Sequence, residues 1–292
     1  MSAKADGASR RRIRPGRAVV DAVLRLVPQL RPAVEKLAWR VFYEVVALRG
    51  VEHATTFVNY GFAGPEETSD GGDDSRFGLE LYAAVAGARD ISGKDVLEVG
   101  CGRGEGSAFV FERFRPRSLA GVDLARAAIR HCRRSHRQPG LTFVAGDAEK
   151  LPFPDASFEV VLNVESSHCY PHMSKFLSEV RRVLKPGGLM LYADFRPTAP
   201  SPAGEVAKDD IAELRRQVSG AGLRTVEEED ITSEVLRALS LSTPTVLAHI
   251  ERNTPRAFRQ QSIEYSGVEG SLRFREFEDG TLTYRRFVLE KT

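Results

Sequence analysis

Between residues 96 and 106 a short apolar run, Val96-Leu97-Glu98-Val99, breaks off into Gly100-Cys101-Gly102-Arg103-Gly104-Glu105-Gly106. No other stretch limits the fold as strongly. The first half reads as a strand, and the alternating glycines let the backbone turn sharply and approach a ligand closely. A helix is expected to follow, so the ligand would sit at a helix N-terminus beyond the carboxyl end of the strand. A dinucleotide-binding G-x-G-x-x-G would need glycine at 105, where Glu105 stands. Glu98, two residues before the first glycine, would also lie awkwardly beside a pyrophosphate. Both features argue against a nicotinamide oxidoreductase.

The rest of the chain repeats the strand-to-helix pattern. Ser118–Val122, Thr142–Val144, Phe158–Val164 and Leu189–Asp194 are further apolar runs. Helical spacing over Phe77–Ala88, Ala125–Ser135 and Met173–Leu184 separates them, and the last ends at Lys185-Pro186-Gly187-Gly188. Strands that alternate with helices and are apolar on both faces predict a parallel sheet covered on both sides. After Arg196 the pattern changes to a proline-bearing loop, a polar helix at 208–219 and a sixth strand at Leu223–Glu229. Residues 232–262 read as a helical insert. Ser271–Glu278 and Thr281–Leu289, joined by Asp279-Gly280, alternate as a terminal hairpin. The expected organisation is a helical N-terminal lid region at 1–75, a core at 76–231, a helical cap insert at 232–266 and a C-terminal hairpin at 267–292.

The hydrophobic fraction of 42% supports a sizeable core in 292 residues, and a net charge of +2 offers no electrostatic case for a nucleic-acid partner. No apolar run approaches the 18 residues a membrane-spanning helix needs, so no integral membrane segment is expected. Residues 1–40 are locally basic, with ten Lys/Arg against three Asp/Glu, and read as a solvated terminus leading into a helix. Three cysteines, Cys101, Cys132 and Cys169, cannot all pair and form no CxxC, which fits a reducing cytoplasm.

Two acids follow the glycine loop at strand ends. Asp123, in Gly121-Val122-Asp123, could accept both hydroxyls of a ribose, and Asp147, in Gly146-Asp147-Ala148, suits an exocyclic adenine amine. Each alone could instead cap a helix. Together they describe one nucleoside laid along the carboxyl edge of the sheet.

In this order, Val96–Gly104, Gly121–Asp123, Gly146–Ala148, Leu151-Pro152-Phe153, Phe158–Asn163 and Leu184–Gly188 resemble the motifs of class I S-adenosylmethionine-dependent methyltransferases. The resemblance covers about 95–195, roughly a third of the chain. It implies an α/β, Rossmann-like sheet of seven strands, the last antiparallel. It also implies S-adenosyl-L-methionine as cofactor, contacted by Glu98, Gly100, Gly102, Asp123, Leu124, Asp147, Ala148 and Asn163. The segment from Asn163 to His172 and Tyr192-Ala193-Asp194 resemble the small-molecule branch, especially phthiotriolone/phenolphthiotriolone dimycocerosates methyltransferases and O-methyltransferases of antibiotic sugars and polyketides. Asn59-Tyr60-Gly61-Phe62 resembles that branch's aromatic lid segment but departs from its commoner Tyr-Trp form.

The expected activity is therefore O-methylation of a small-molecule hydroxyl, on a polyketide, glycosylated natural product or lipid. Transfer from a sulfonium needs alignment and a dry pocket more than it needs the protein's chemistry. An aliphatic hydroxyl must still lose its proton, and His168, just past the fourth strand, is the candidate general base, with Asp194 to orient it. Tyr60, Phe62, Tyr170 and His172 are candidate substrate contacts. A cyclase or binding module of the same fold, which holds the cofactor without transferring its methyl, is the alternative. Asn163-Val164-Glu165-Ser166 is not the Asn/Asp-Pro-Pro-aromatic motif of enzymes that methylate amines of DNA and RNA. Asp194 alone does not make the acidic magnesium site of catechol-type enzymes. Activity is accordingly expected to survive EDTA and to gain nothing from added magnesium; a strict magnesium requirement in the same assay would show that ligands had been missed. Oligomeric state is left open, homo-oligomers included.

Overall fold

The computed structural model of the protein describes Val34, Lys36, Leu37, Arg40, Glu44 and residues 59–68, 75–200 and 209–292. The basic run Arg10–Arg14 and most of the expected 1–75 lid region lie outside the described residues.

The order is α1 (Ser75–Ala86), β1 (Asp95–Val99), α2 (Glu105–Phe114), β2 (Ser118–Asp123), α3 (Arg126–Ser135), β3 (Leu141–Ala145), β4 (Phe158–Val164), α4 (Met173–Val183) and β5 (Leu184–Pro197). It continues through α5 (Ile211–Gly220), β6 (Leu223–Asp230), α6 (Thr232–Asn253), α7 (Arg256–Ser266), α8 (Leu272–Glu278) and β7 (Leu282–Lys291). One seven-stranded sheet runs β3-β2-β1-β4-β5-β7-β6. The pairs from β3 to β5 are parallel, and β7 lies antiparallel to both β5 and β6. This is the Rossmann-like methyltransferase sheet expected from the sequence.

The chain leaves β1 toward β2 and β3 on one side and returns to β4 on the other. The β1/β4 gap is thus the switch point of the sheet, where open α/β folds hold their ligands. Alternation along the strands divides the core. Val96, Val160, Leu162 and Leu191 pack with Leu81 and Val85 of α1 on one face, and Leu97, Val99, Val161 and Met190 pack with Phe176, Leu177 and Val180 of α4 on the other. Helix α4 buries Met173, Phe176, Leu177, Val180 and Val183, the spacing of one helical face. Each such fully buried side chain contributes about 1.5–3 kcal/mol.

The expected C-terminal hairpin is corrected. Leu272–Glu278 is a helix whose N-cap, Ser271, accepts a hydrogen bond from the Phe274 amide. The alternation of Leu272 and Phe274 suggested a strand, but Phe277, three residues after Phe274, is the side chain that is buried, and a helix brings those two together. Asp279-Gly280 ends this helix, with Gly280 at φ 75, and does not turn a hairpin. The partners of β7 are instead β5 and β6. Helix α4 does stop at Val183, just before Lys185, but the turn that follows lies within β5: pairing with β4 jumps from Phe158↔Leu184 to Val160↔Leu189, a bulge in which Gly187 takes φ 71.

The described N-terminal residues dock at the sheet's carboxyl edge. Helix α3 begins at Ala125, which has no capping side chain; Glu44 supplies the cap, its carboxylate accepting from the amides of Arg126 (2.8 Å) and Ala127 (3.0 Å).

Candidate active site

The loop after β1 is wound so tightly that glycine is required at its first position. Gly100 has φ 80, and a Cβ there would fall 2.3 Å from Ser166 Oγ. Its amide and that of Cys101 donate to the Val122 carbonyl (2.8 and 3.1 Å), which pins the loop to β2. Gly102, at φ 52, faces open space instead, so nothing stands between its backbone and a ligand. Behind the loop Glu98 is fully buried. It accepts from the Tyr82 hydroxyl (2.8 Å) and from the Ser107 hydroxyl. Burial pushes its carboxyl up to about 7 against those two donors.

The loops after β1 to β4 border one cleft of ≈ 1270 Å³, counted to its open mouth. Gly100, Gly102, Asp123, Leu124, Asp147 and Ala148 all line it. Glu98 and Asn163 do not. Glu98 is spent on Tyr82 and Ser107, one layer behind the loop. Asn163 donates to the Val99 carbonyl (2.8 Å), Ser166 Oγ (2.7 Å) and the Tyr170 hydroxyl (3.2 Å), so it braces the loop's exit and the following turn.

Asp123 accepts from the amides of Gly102 (2.9 Å) and Ala125 (2.8 Å), so it both holds the glycine loop and opens the turn into α3. Burial pushes its carboxyl up to about 6, while those two amides favour the anion. Asp147 accepts an ion pair from Lys36, which also reaches Glu149 at 3.1 Å. Lys36 thereby reaches the end of the cleft assigned to an adenine amine. A nucleoside cofactor fits this donor set: a carboxylate at each of two adjacent strand ends, then a loop of exposed backbone. Asp147 and Ala148 would hold the base, Asp123 the ribose and Gly100–Gly102 the remainder.

At β4 and β5 the structure brings His168 and Asp194 together. His168 Nδ1 lies 3.0 Å from Asp194 Oδ1, and the His168 amide donates to Oδ2 (2.9 Å). The imidazole packs on Phe195 at 4.6 Å between ring centroids. Asp194 also accepts from Ser167 Oγ (2.6 Å) and lies 3.5 Å from Arg196 Nη1. Burial works to raise the Asp194 carboxyl, but the charges of His168 and Arg196 hold it down near 2. Burial also disfavours the His168 imidazolium, yet the Cys169 sulfur and the Asp194 carboxylate outweigh it and place the imidazole well above the usual histidine value. His168 and Asp194 are not among the residues that line the cleft; Ser166 and Cys169, on either side of His168 in the chain, are.

The tentative substrate contacts divide. Tyr170 lines the cleft. Tyr60, Phe62 and His172 are not among its lining residues. The Tyr60 ring lies between Phe195 (5.6 Å) and Phe277 (5.7 Å), and Phe62 is packed on the core with its amide bonded to the Phe77 carbonyl. Phe195 and Phe277 of α8 thus give the Tyr60 ring an apolar seat. His172 opens α4 against Glu149, which accepts its amide at 2.8 Å.

Two residues placed at this site are absent from the candidates read from the sequence. Arg196, almost fully buried, donates to Ser167 Oγ (2.6 Å) and the Tyr192 hydroxyl (2.8 Å) behind Asp194. Its position two residues after Asp194 on one strand, hence on the same face, was the available signal. Glu165 takes φ 47 immediately past β4 and lines the cleft. An acid directly after the strand was its only sequence signal.

A family model described as a methyltransferase domain matches residues 97–192. The chain is 38% identical over 262 residues to the phthiotriol/phenolphthiotriol dimycocerosates methyltransferase of Mycobacterium tuberculosis, covering 88% of this chain and 93% of that protein. It is 35% identical over 280 residues to the fatty-acid O-methyltransferase of Mycolicibacterium smegmatis, covering 94% and 98%. Among solved structures, it resembles geranyl diphosphate C-methyltransferase from Streptomyces coelicolor, in complex with S-adenosyl-L-homocysteine, at a TM-score of 0.64 and 17% identity over 86% of this chain and 98% of that one. The glycine loop, the acids at the ends of β2 and β3 and these likenesses agree: the chain belongs to the S-adenosylmethionine-dependent methyltransferases, and S-adenosylmethionine is its cofactor.

Proposed function

We propose that the protein methylates a hydroxyl oxygen of a lipid-like small molecule, with His168 as general base. The observation that carries this reading is the 3.0 Å contact between His168 Nδ1 and Asp194 Oδ1 at the carboxyl ends of β4 and β5, next to Ser166 and Cys169 of the cleft wall. That contact selects the tautomer with the proton on Nδ1, which leaves the Nε2 lone pair to take a proton. The cofactor supplies an electrophilic methyl carbon: the acceptor oxygen bonds to it as the C–S bond breaks, leaving a methyl ether and a neutral thioether. The hydroxyl proton passes to His168 Nε2, and Asp194 stabilises the imidazolium that results. The names of the two relatives, one acting on phthiotriols and one on fatty acids, support a long apolar acceptor. The helices α6, α7 and α8 are proposed to form the wall that selects it, as part of natural-product or lipid biosynthesis.

Mass spectrometry after incubation with labelled S-adenosylmethionine and a panel of long-chain alcohols, diols and fatty acids tests this. Label in ether products is expected. Label confined to methyl esters would overturn the hydroxyl reading.

Asp123 carries the cofactor part of the proposal. Asp123→Ala removes charge-assisted hydrogen bonds to the ribose, worth about 1.5–3 kcal/mol, so affinity for the cofactor and its demethylated product should fall at least about tenfold in calorimetric titration. The ribose hydroxyls favour the ionised carboxylate, whose pKa in the free protein is about 6. Wild-type affinity should therefore be full above that pH and decline below it. Unchanged affinity in a folded mutant would sink the assignment.

A further inference from the structure

We infer that Glu165 reads the positive charge of the cofactor's sulfonium, and so makes the cleft prefer the methyl donor to its demethylated product. This rests on the cofactor placement argued above. Along the sheet edge the strand ends follow in the order β3, β2, β1, β4, carrying Asp147, Asp123, the glycine loop and Glu165. Neighbouring strands lie about 4.8 Å apart. A cofactor with its base at β3 and its ribose at β2 therefore carries the sulfur, one carbon beyond the ribose ring, over β1. The next side chain along the edge is Glu165.

Three features of Glu165 point to a cationic ligand. Its backbone is held at φ 47, a left-handed conformation that a non-glycine residue keeps only where the surrounding structure enforces it, commonly at ligand sites. It is only 8% exposed, and that exposure belongs to a residue lining the same cleft as Gly100, Gly102 and Asp123. Its Oε2 accepts from the Tyr60 amide (2.9 Å) and the Tyr284 hydroxyl (2.8 Å), both neutral donors, while among the described residues Oε1 accepts no hydrogen bond.

Asp147 and Glu149 pair with Lys36, and Glu105 lies 3.7 Å from Arg103; Asp123, like Glu165, has only neutral donors, but its place at the end of β2 is the one given to the ribose. Among the described residues Glu165 makes no ion pair; burial pushes its carboxyl up to about 8 against the Tyr60 amide and the charge of His168, which is itself bonded to Asp194. A buried carboxyl that faces the cleft with neutral donors gives up its proton when a cation is seated beside it. The sulfonium supplies one, and transfer of the methyl removes it. The ammonium of the methionyl part is common to donor and product, so it cannot produce the preference.

The test is calorimetric titration of Glu165→Gln with S-adenosylmethionine and with S-adenosylhomocysteine. Gln keeps an oxygen for Tyr60 and Tyr284 but loses the charge. Affinity for S-adenosylmethionine should fall about tenfold or more, while that for S-adenosylhomocysteine stays within about twofold. An analogue with an ammonium in place of the sulfonium should follow S-adenosylmethionine. Should Gln impair folding, Glu165→Gly suits the positive φ and removes the same charge, and the same selective loss is expected. Equal weakening of both ligands, or unchanged affinity for both, overturns the proposal. Failure of the wild-type protein to bind either ligand would instead overturn the cofactor placement.

Discussion

His168→Ala is expected to lower kcat by about 10²–10⁴, the usual contribution of a positioned proton acceptor, with cofactor affinity intact. The pH profile makes this specific. Only neutral imidazole can accept the acceptor's proton, and His168 lies well above the usual histidine value because the Cys169 sulfur and the Asp194 carboxylate outweigh its burial. Wild-type kcat should therefore rise with pH through a limb above about 6.5, the unperturbed histidine value, and that limb should disappear in the mutant. Asp194→Asn should cost less, since it withdraws orientation and charge but leaves the base, and its limb should move down because the anion that raises His168 is gone. The competing account makes catalysis purely positional, with water taking the proton. A His168→Ala enzyme that keeps most of its kcat and the same limb would decide for that account.

The parts of this site that could be read from the sequence are those set by local pattern. Phe158–Val164 is a strand because it is apolar at every position but Glu159 and Asn163, and its limits in the structure are those read from the sequence. The glycine loop and the acids after β2 and β3 are equally local, since each sits within a residue or two of a strand end. What could not be read depends on contacts distant in the chain. Lys36 meets Asp147 across 111 positions, and Tyr60 finds Phe277 across 217. Leu272–Glu278 carries both a two-residue and a three-residue apolar spacing, and only its seat against Tyr60 and Phe195 selects the helix. The left-handed backbone at Glu165 has no sequence mark, because the residue there is neither the glycine nor the asparagine that usually signals such a position. Arg196 was read as the point where the pattern changes, yet it belongs to β5, which runs one residue further to Pro197.

Arg196 supports the second large prediction. A guanidinium and a carboxylate are both buried here, with relative side-chain exposures of 3% and 0%. Taking two charges out of water costs several kcal/mol per ion, and the mutual field and hydrogen bonds must offset it. Arg196 is bonded to Ser167 Oγ, the Tyr192 hydroxyl and the Phe195 carbonyl, and Ser167 in turn donates to Asp194. Arg196→Met fills similar volume but leaves Asp194 facing His168 alone, so chemical denaturation should show a loss of about 3–5 kcal/mol. Asp194 is held near 2, below its unfolded value, so it stabilises the fold above the unfolded pKa and loses that contribution as pH falls. Without Arg196 its folded pKa rises, and acid unfolding of the mutant should begin at higher pH. The pair should also be coupled: Arg196→Met combined with Asp194→Asn should cost less than the two single losses added together, because the double mutant leaves neither charge stranded. If the single losses simply add, Arg196 supports this region by packing alone, and its charge has no part in keeping Asp194 ionised beneath His168.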